Sequence, residues 1–158
     1  MQASLLRELE RRRFSIRARW EALLRAEPVA TPLGLPDALV HLIDTTLEEI
    51  LGTLERAQRR QRTNEKHAQT QERQLCRCGR NPLLAYFAAA AQAMREGVIL
   101  AQAASAPLDP VERDASLEEL NAVLRQISGR EIEAFCGVCQ FRHLALPAPV
   151  QPLAICGG

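Results

Sequence analysis

The stretch NPLLAYFAAAAQAMREGVILAQAAS, residues 81–105, decides the fold. Asn81 is a natural helix cap and Pro82 suits the first helical position, where its missing N–H costs nothing. From there Leu84, Phe87, Ala91, Met94, Val98, Ala101 and Ser105 recur at alternating steps of three and four. That spacing predicts a helix with an apolar seam packed against other helices. Its length approaches that of a membrane span. Yet it carries Gln92, Arg95, Glu96 and Gln102, and most of its apolar residues are alanine, so it reads as a buried helix of a soluble bundle with no membrane insertion.

Working outward, the same period organises the rest of the chain. Leu6, Leu9, Ile16, Trp20 and Leu23 or Leu24 share one side of a helix predicted over about Ala3 to Ala26, with arginines on the other side. Pro28 and the Pro32-Leu33-Gly34-Leu35-Pro36 segment end it. A second helix follows, with Asp37 near its start and an apolar stripe of Leu39, Ile43, Leu47, Ile50 and Leu54. The polar run Gln58 to Gln74 has helix-forming composition and little to bury. After residue 105, Ser116 with Glu119 forms a capping-box pattern ahead of Leu117, Leu120, Leu124 and Ile127, and Asp109-Pro110 offers an earlier start. Gly129 is expected to end or kink this helix. The fold class is therefore all-α: a bundle of four to five helices over residues 1–145, followed by an extended, proline-containing tail over 146–158.

Composition agrees. The 158 residues are 47% hydrophobic but only 4% aromatic, and β-branched residues are sparse, which favours helices over strands. A formal net charge of +1 gives no global field toward nucleic acid or membrane. Charge is nevertheless segregated: Arg56 to Arg80 holds eight basic and two acidic residues, and Asp109 to Glu133 seven acidic and three basic. The basic segment has no aromatic residue for stacking on bases, so nucleic acid is not the expected partner. A protein partner or a second copy of the chain fits the long apolar seams. Met1 to Trp20 are charged throughout, without the apolar core of a signal peptide, and a cytoplasmic location is expected.

Four of the five cysteines form two close pairs, Cys76-Arg77-Cys78 and Cys136-Gly137-Val138-Cys139. In a reducing compartment such pairs point to metal or redox chemistry rather than to structural disulfides. Zinc accepts four thiolates tetrahedrally, so two local pairs can be docked on one ion by the fold. Gly79 after the first pair lets the backbone turn around an ion, and Gly137 inside the second suits a turn-shaped clamp. The expected site is one zinc held by Cys76, Cys78, Cys136 and Cys139, joining the start of the third helix to the C-terminal segment. Arg73, Arg77, Arg80 and Arg142 stand close in sequence to the thiolates, either offsetting their negative charge or serving as ordinary surface arginines. An iron–sulfur cluster fits these intervals less well. His143 is a substitute ligand or an outer-sphere neighbour, and Cys156 a spare thiol. A thioredoxin-type dithiol would need a βαβ context that is missing here.

Cys-x-Cys followed by Cys-x-x-Cys, with Leu117-Glu118-Glu119-Leu120 and Glu131-Ile132-Glu133 between them, resembles the zinc switch of the redox-regulated heat-shock chaperone family. The resemblance implies four thiolates on zinc, with oxidation unfolding a linker and exposing a client-binding surface. A second resemblance spans about Arg7 to Ala103. Trp20-Glu21-Ala22-Leu23-Leu24-Arg25, the apolar second helix, the basic stretch around His67 and Pro82-Leu83-Leu84 are similar to helical N-terminal sensor domains of bacterial stress-response regulators and histidine kinases. It implies a globin-like or bundle-like module that signals through dimerisation or an attached output domain.

Other chemistry has little footing. His41, His67 and His143 are scattered, with no nucleophile and carboxylate arranged beside them. Glu48-Glu49 and Glu118-Glu119 lack the Glu-x-x-His of a di-iron bundle and read as solvated. The functional expectation is a non-enzymatic regulatory or interaction domain. A thiol-based redox sensor or chaperone, and a metal- or redox-dependent enzyme, are the alternatives.

Overall fold

A computed structural model describes residues 1–27, 34–62, 81–104 and 109–138. Among them the regular structure is entirely helical: α1 (Ala3–Arg11), α2 (Arg13–Ala26), α3 (Pro36–Leu39), a 3-10 turn (Val40–Leu42), α4 (Ile43–Arg62), α5 (Leu83–Ala104) and α6 (Pro110–Val138). The 146–158 tail and most of the Gln58 to Gln74 run lie outside the described residues.

These segments form four rods. α1 and α2 make the first, α3 through α4 the second, and α5 and α6 the others. α5 packs against α1, α2 and α6, while α4 packs against α1, α2 and α6, so the four rods close a ring with α4 and α5 on one diagonal. Arg13 pairs with Glu48 and Arg17 with Asp44, which sets α2 antiparallel to α4. Ile16 faces Gly97 while Trp20 reaches Tyr86, so α2 is antiparallel to α5 as well. Arg95 meets Asn121 and Asn81 meets Ile132, so α6 opposes α5. α4 and α5 therefore run the same way, and residues 62 and 83 lie at opposite ends of the bundle.

The predicted stripes become the core. Leu6, Leu9, Ile16, Trp20 and Leu24 are buried from the first rod, joined by Leu5. Leu39, Ile43, Leu47, Ile50 and Leu54 are buried from the second, and Leu120, Leu124 and Ile127 from α6. Burying side chains of this size stabilises by roughly 1.5–3 kcal/mol each before the cost of ordering them. At the centre, the Trp20 and Tyr86 rings sit 4.9 Å apart and Phe87 meets Tyr86 edge-on at 5.1 Å. The indole Nε1 donates to the Tyr86 carbonyl at 3.2 Å, and the Tyr86 hydroxyl donates to Thr46 Oγ1 at 2.9 Å. Each buried polar tip thus has a partner on another rod.

α5 is more enclosed than a single seam predicts. By length and composition it could cross a membrane, with a mean hydropathy of 1.2 over its best window, but here it is the core helix of the bundle. Besides Phe87, Met94, Val98 and Ala101, it buries Tyr86, Ala89, Ala90, Ala93 and Gly97. The small residues form a second face that lets α1 and α2 approach closely. At Gly97 a β-carbon would lie 2.8 Å from both Cδ1 and Cγ1 of Ile16.

Three local expectations need correction. The first helix breaks at Arg12 (φ −89°, ψ 4°), whose N–H is shared between the Glu8 and Leu9 carbonyls at 3.1 and 3.0 Å. That tight turn brings Leu9 and Ile16 to the same glycine. α6 begins at Asp109-Pro110, not at Ser116: the Asp109 carboxylate accepts the Val111 N–H at 3.0 Å, while Ser116 is buried inside the helix and its hydroxyl donates to the Glu112 carbonyl. Nor does Gly129 end the helix, which continues to Val138. Glycine costs about 1 kcal/mol in a helix interior, and burial of Ile127 and Ile132 on either side outweighs it.

Candidate metal centre

The described part of the cysteine region is the end of the bundle where α5 begins and α6 finishes. Asn81 caps α5 as expected: its Oδ1 accepts the Leu83 N–H at 2.9 Å, and its carbonyl accepts the Leu84 N–H at 3.1 Å. Its amide does more than cap. Nδ2 points across to α6 and donates to the Ile132 carbonyl at 3.3 Å, with the Cys136 sulfur at 3.5 Å. Only 3% of Asn81 is exposed, so this bridge between helices is formed out of water.

Cys136 lies one helical turn beyond Ile132, on the same face. It is partly buried, packs against the core and carries a free thiol. Cys136, Gly137 and Val138 are helical, and Cys139, which would complete the expected turn-shaped clamp, lies outside the described residues. Among the described residues, a β-carbon at Gly137 would meet no atom within 4 Å. Cys76, Cys78, Cys139, Cys156, His67, His143 and the arginines 73, 77, 80 and 142 lie outside the described residues. Among the described residues, no three His, Cys, Asp or Glu side chains converge as a metal site.

The remaining candidates for chemistry are mostly engaged in structure. His41 is exposed on the 3-10 turn. Glu48 and Glu49 are paired, with Arg13 and Arg130 respectively. Glu119 departs from the solvated reading: its side chain is largely buried, Oε2 pairs with the Met1 amino group, and Oε1 is buried without a hydrogen-bond partner among the described residues. Burial lowers the pKa of that amino group. Burial also pushes the Tyr86 phenol up to about 12, consistent with a structural rather than an acid–base role.

Sequence reasoning identified Asn81 as a cap but not as a link to Cys136. The first role is visible from its neighbours in the chain, and the second depends on a residue 55 positions away. Compared with family models, with curated proteins and with solved structures, the chain gives no significant match.

Proposed function

We propose that this bundle is a cytoplasmic regulatory or protein-interaction module, of the helical sensor kind, in which one zinc ion on Cys76, Cys78, Cys136 and Cys139 clamps the start of α5 to the end of α6. The observation that carries the reading is the contact between Asn81 and Cys136. Asn81 follows Cys78 by three residues, a span that covalent geometry limits to about 10 Å. Cys139 follows Cys136 by the same interval. Chain connectivity therefore keeps Cys78 within about 10 Å of Asn81, the residue that Cys136 touches. Tetrahedral zinc requires its four sulfurs about 3.8 Å apart, given Zn–S distances of about 2.3 Å.

Zinc would reinforce this fold rather than create it, because the core is formed by residues elsewhere in the bundle. Its consequence is local: the metal sets how firmly the last turns of α6 are held against α5. A thiol switch is the second reading, and the partial exposure of Cys136 favours it, since oxidants reach accessible thiolates. Oxidation would pair the thiols, expel zinc and loosen this end of the bundle.

The test combines Cys76→Ser and Cys136→Ser variants with peroxide treatment of the wild-type protein. The clamp predicts that each variant loses stoichiometric zinc while retaining most of its helicity. Full zinc retention in both would refute it. Reversible zinc release by peroxide, with new binding to an unfolded client or protein partner, would establish the switch. Zinc and helicity unchanged through peroxide would leave a static clamp.

A further inference from the structure

Between the first half of α5 and the middle of α6, a surface groove of about 260 Å³ is lined by Phe87, Ala91 and Arg95 from one helix and by Asn121, Leu124, Arg125 and Ser128 from the other. Phe87 and Leu124, both largely buried, give it an apolar base, and Arg95 and Arg125 bring positive charge to it. The Arg95 Nε donates to Asn121 Oδ1 at 3.1 Å, which fixes that guanidinium across the helix interface.

These two arginines are unlike most others in the bundle. Arg17, Arg25 and Arg59 each have a glutamate one turn away on their own helix, Arg12 at the α1–α2 break pairs with Glu8, and Arg13, Arg19 and Arg130 pair with carboxylates on a neighbouring helix. The residues three and four positions from Arg95 are Ala91, Gln92, Val98 and Ile99. Those around Arg125 are Asn121, Ala122, Ser128 and Gly129. None is acidic, and among the described residues neither arginine has a carboxylate partner. Two like charges thus border one partly apolar groove, and an anion bound there would supply the counter-charge that neither finds among the described residues.

We infer that the α5–α6 groove binds a small amphipathic carboxylate, with the anion between Arg95 and Arg125 and a short apolar body over Phe87, Ala91 and Leu124. The volume lies just below the range of about 300–1,000 Å³ typical of drug-sized ligands, which limits the guest to a short chain or single ring. No cysteine is among the lining residues, and the proposal does not rest on the zinc reading.

The probe is octanoate, titrated into isotope-labelled full-length protein and followed by amide chemical shifts. Octanol tests the apolar body alone, and inorganic phosphate tests the charge alone. The expected result is saturable octanoate binding with shifts centred on Ala91, Leu124 and Ser128, about tenfold tighter than either control. Arg95→Gln and Arg125→Gln should each weaken it about tenfold, as for loss of a charge-assisted hydrogen bond. Trp20 fluorescence and helicity should be unchanged in both. Ala91→Leu, which fills the groove without altering charge, should also weaken binding. Octanol binding as tightly as octanoate, equal affinity in both arginine variants, or shifts centred elsewhere would overturn the assignment. Phosphate matching octanoate would overturn the apolar half of it.

Discussion

Replacing Asn81 separates its two roles at the junction of α5 and α6. Asn81→Ala removes the acceptor for the Leu83 N–H, a cap worth about 1 kcal/mol. It also removes the donor to the Ile132 carbonyl, worth about another 1 kcal/mol. The expected loss is therefore about 2 kcal/mol. Asn81→Ser keeps a capping oxygen but cannot reach α6, so it should lose about half as much. Asn81→Asp keeps the cap yet turns a carboxylate toward a carbonyl and a sulfur in a site 3% exposed, and at neutral pH should be the least stable of the three. The assay is urea unfolding read by Trp20 fluorescence, with chelator present so that metal binding does not contribute. Trp20 is the sole tryptophan and is fully buried, so its emission reports the core. If Ala lies within 0.5 kcal/mol of wild type, or if Ser is as damaging as Ala, the two-role account of Asn81 fails.

Other parts of the bundle give independent tests. Gly97→Ala sets a helix-propensity gain of about 1 kcal/mol against overpacking of about 1–3 kcal/mol where its methyl meets Ile16, for a net loss of about 1 kcal/mol in urea unfolding. Ile16→Ala should absorb that methyl, so the double-mutant cycle should show favourable coupling, and strict additivity would refute the close approach. Tyr86 is the sole tyrosine, and its phenol is raised to about 12 by burial. Tyrosinate absorbance should therefore titrate near pH 10 in urea and later in the native protein. Because the unfolded chain gives up this proton first, stability should fall as pH rises from about 10 to 12. Tyr86→Phe should flatten that slope, and equal slopes in the two proteins would contradict the assignment.

How much could be read from residues alone depends on how local the cause is. The stripe from Leu39 in α3 to Leu54 in α4 was legible because one face meets the core at a period of three and four, although Val40 and Leu51 are buried beside it as well. α5 was legible as a helix, but its extent of burial was not: alanine is small enough for any face, and only the approach of Ile16 shows that the second face is occupied. The break at Arg12 has no glycine or proline to announce it. At Gly129 a local helix-breaking signal was overridden by burial of Ile127 and Ile132, a tertiary effect that no short window contains. The cysteine spacing pointed to a chemistry without its geometry. What the fold adds is Asn81, whose capping oxygen serves its own helix while its nitrogen reaches Cys136.

X-ray absorption at the zinc edge of freshly purified, reduced protein tests the proposed clamp most directly. One zinc per chain is expected, with four sulfurs bound to it at about 2.3 Å. Substoichiometric metal, a shell containing nitrogen or oxygen in place of sulfur, or iron with inorganic sulfide would contradict it.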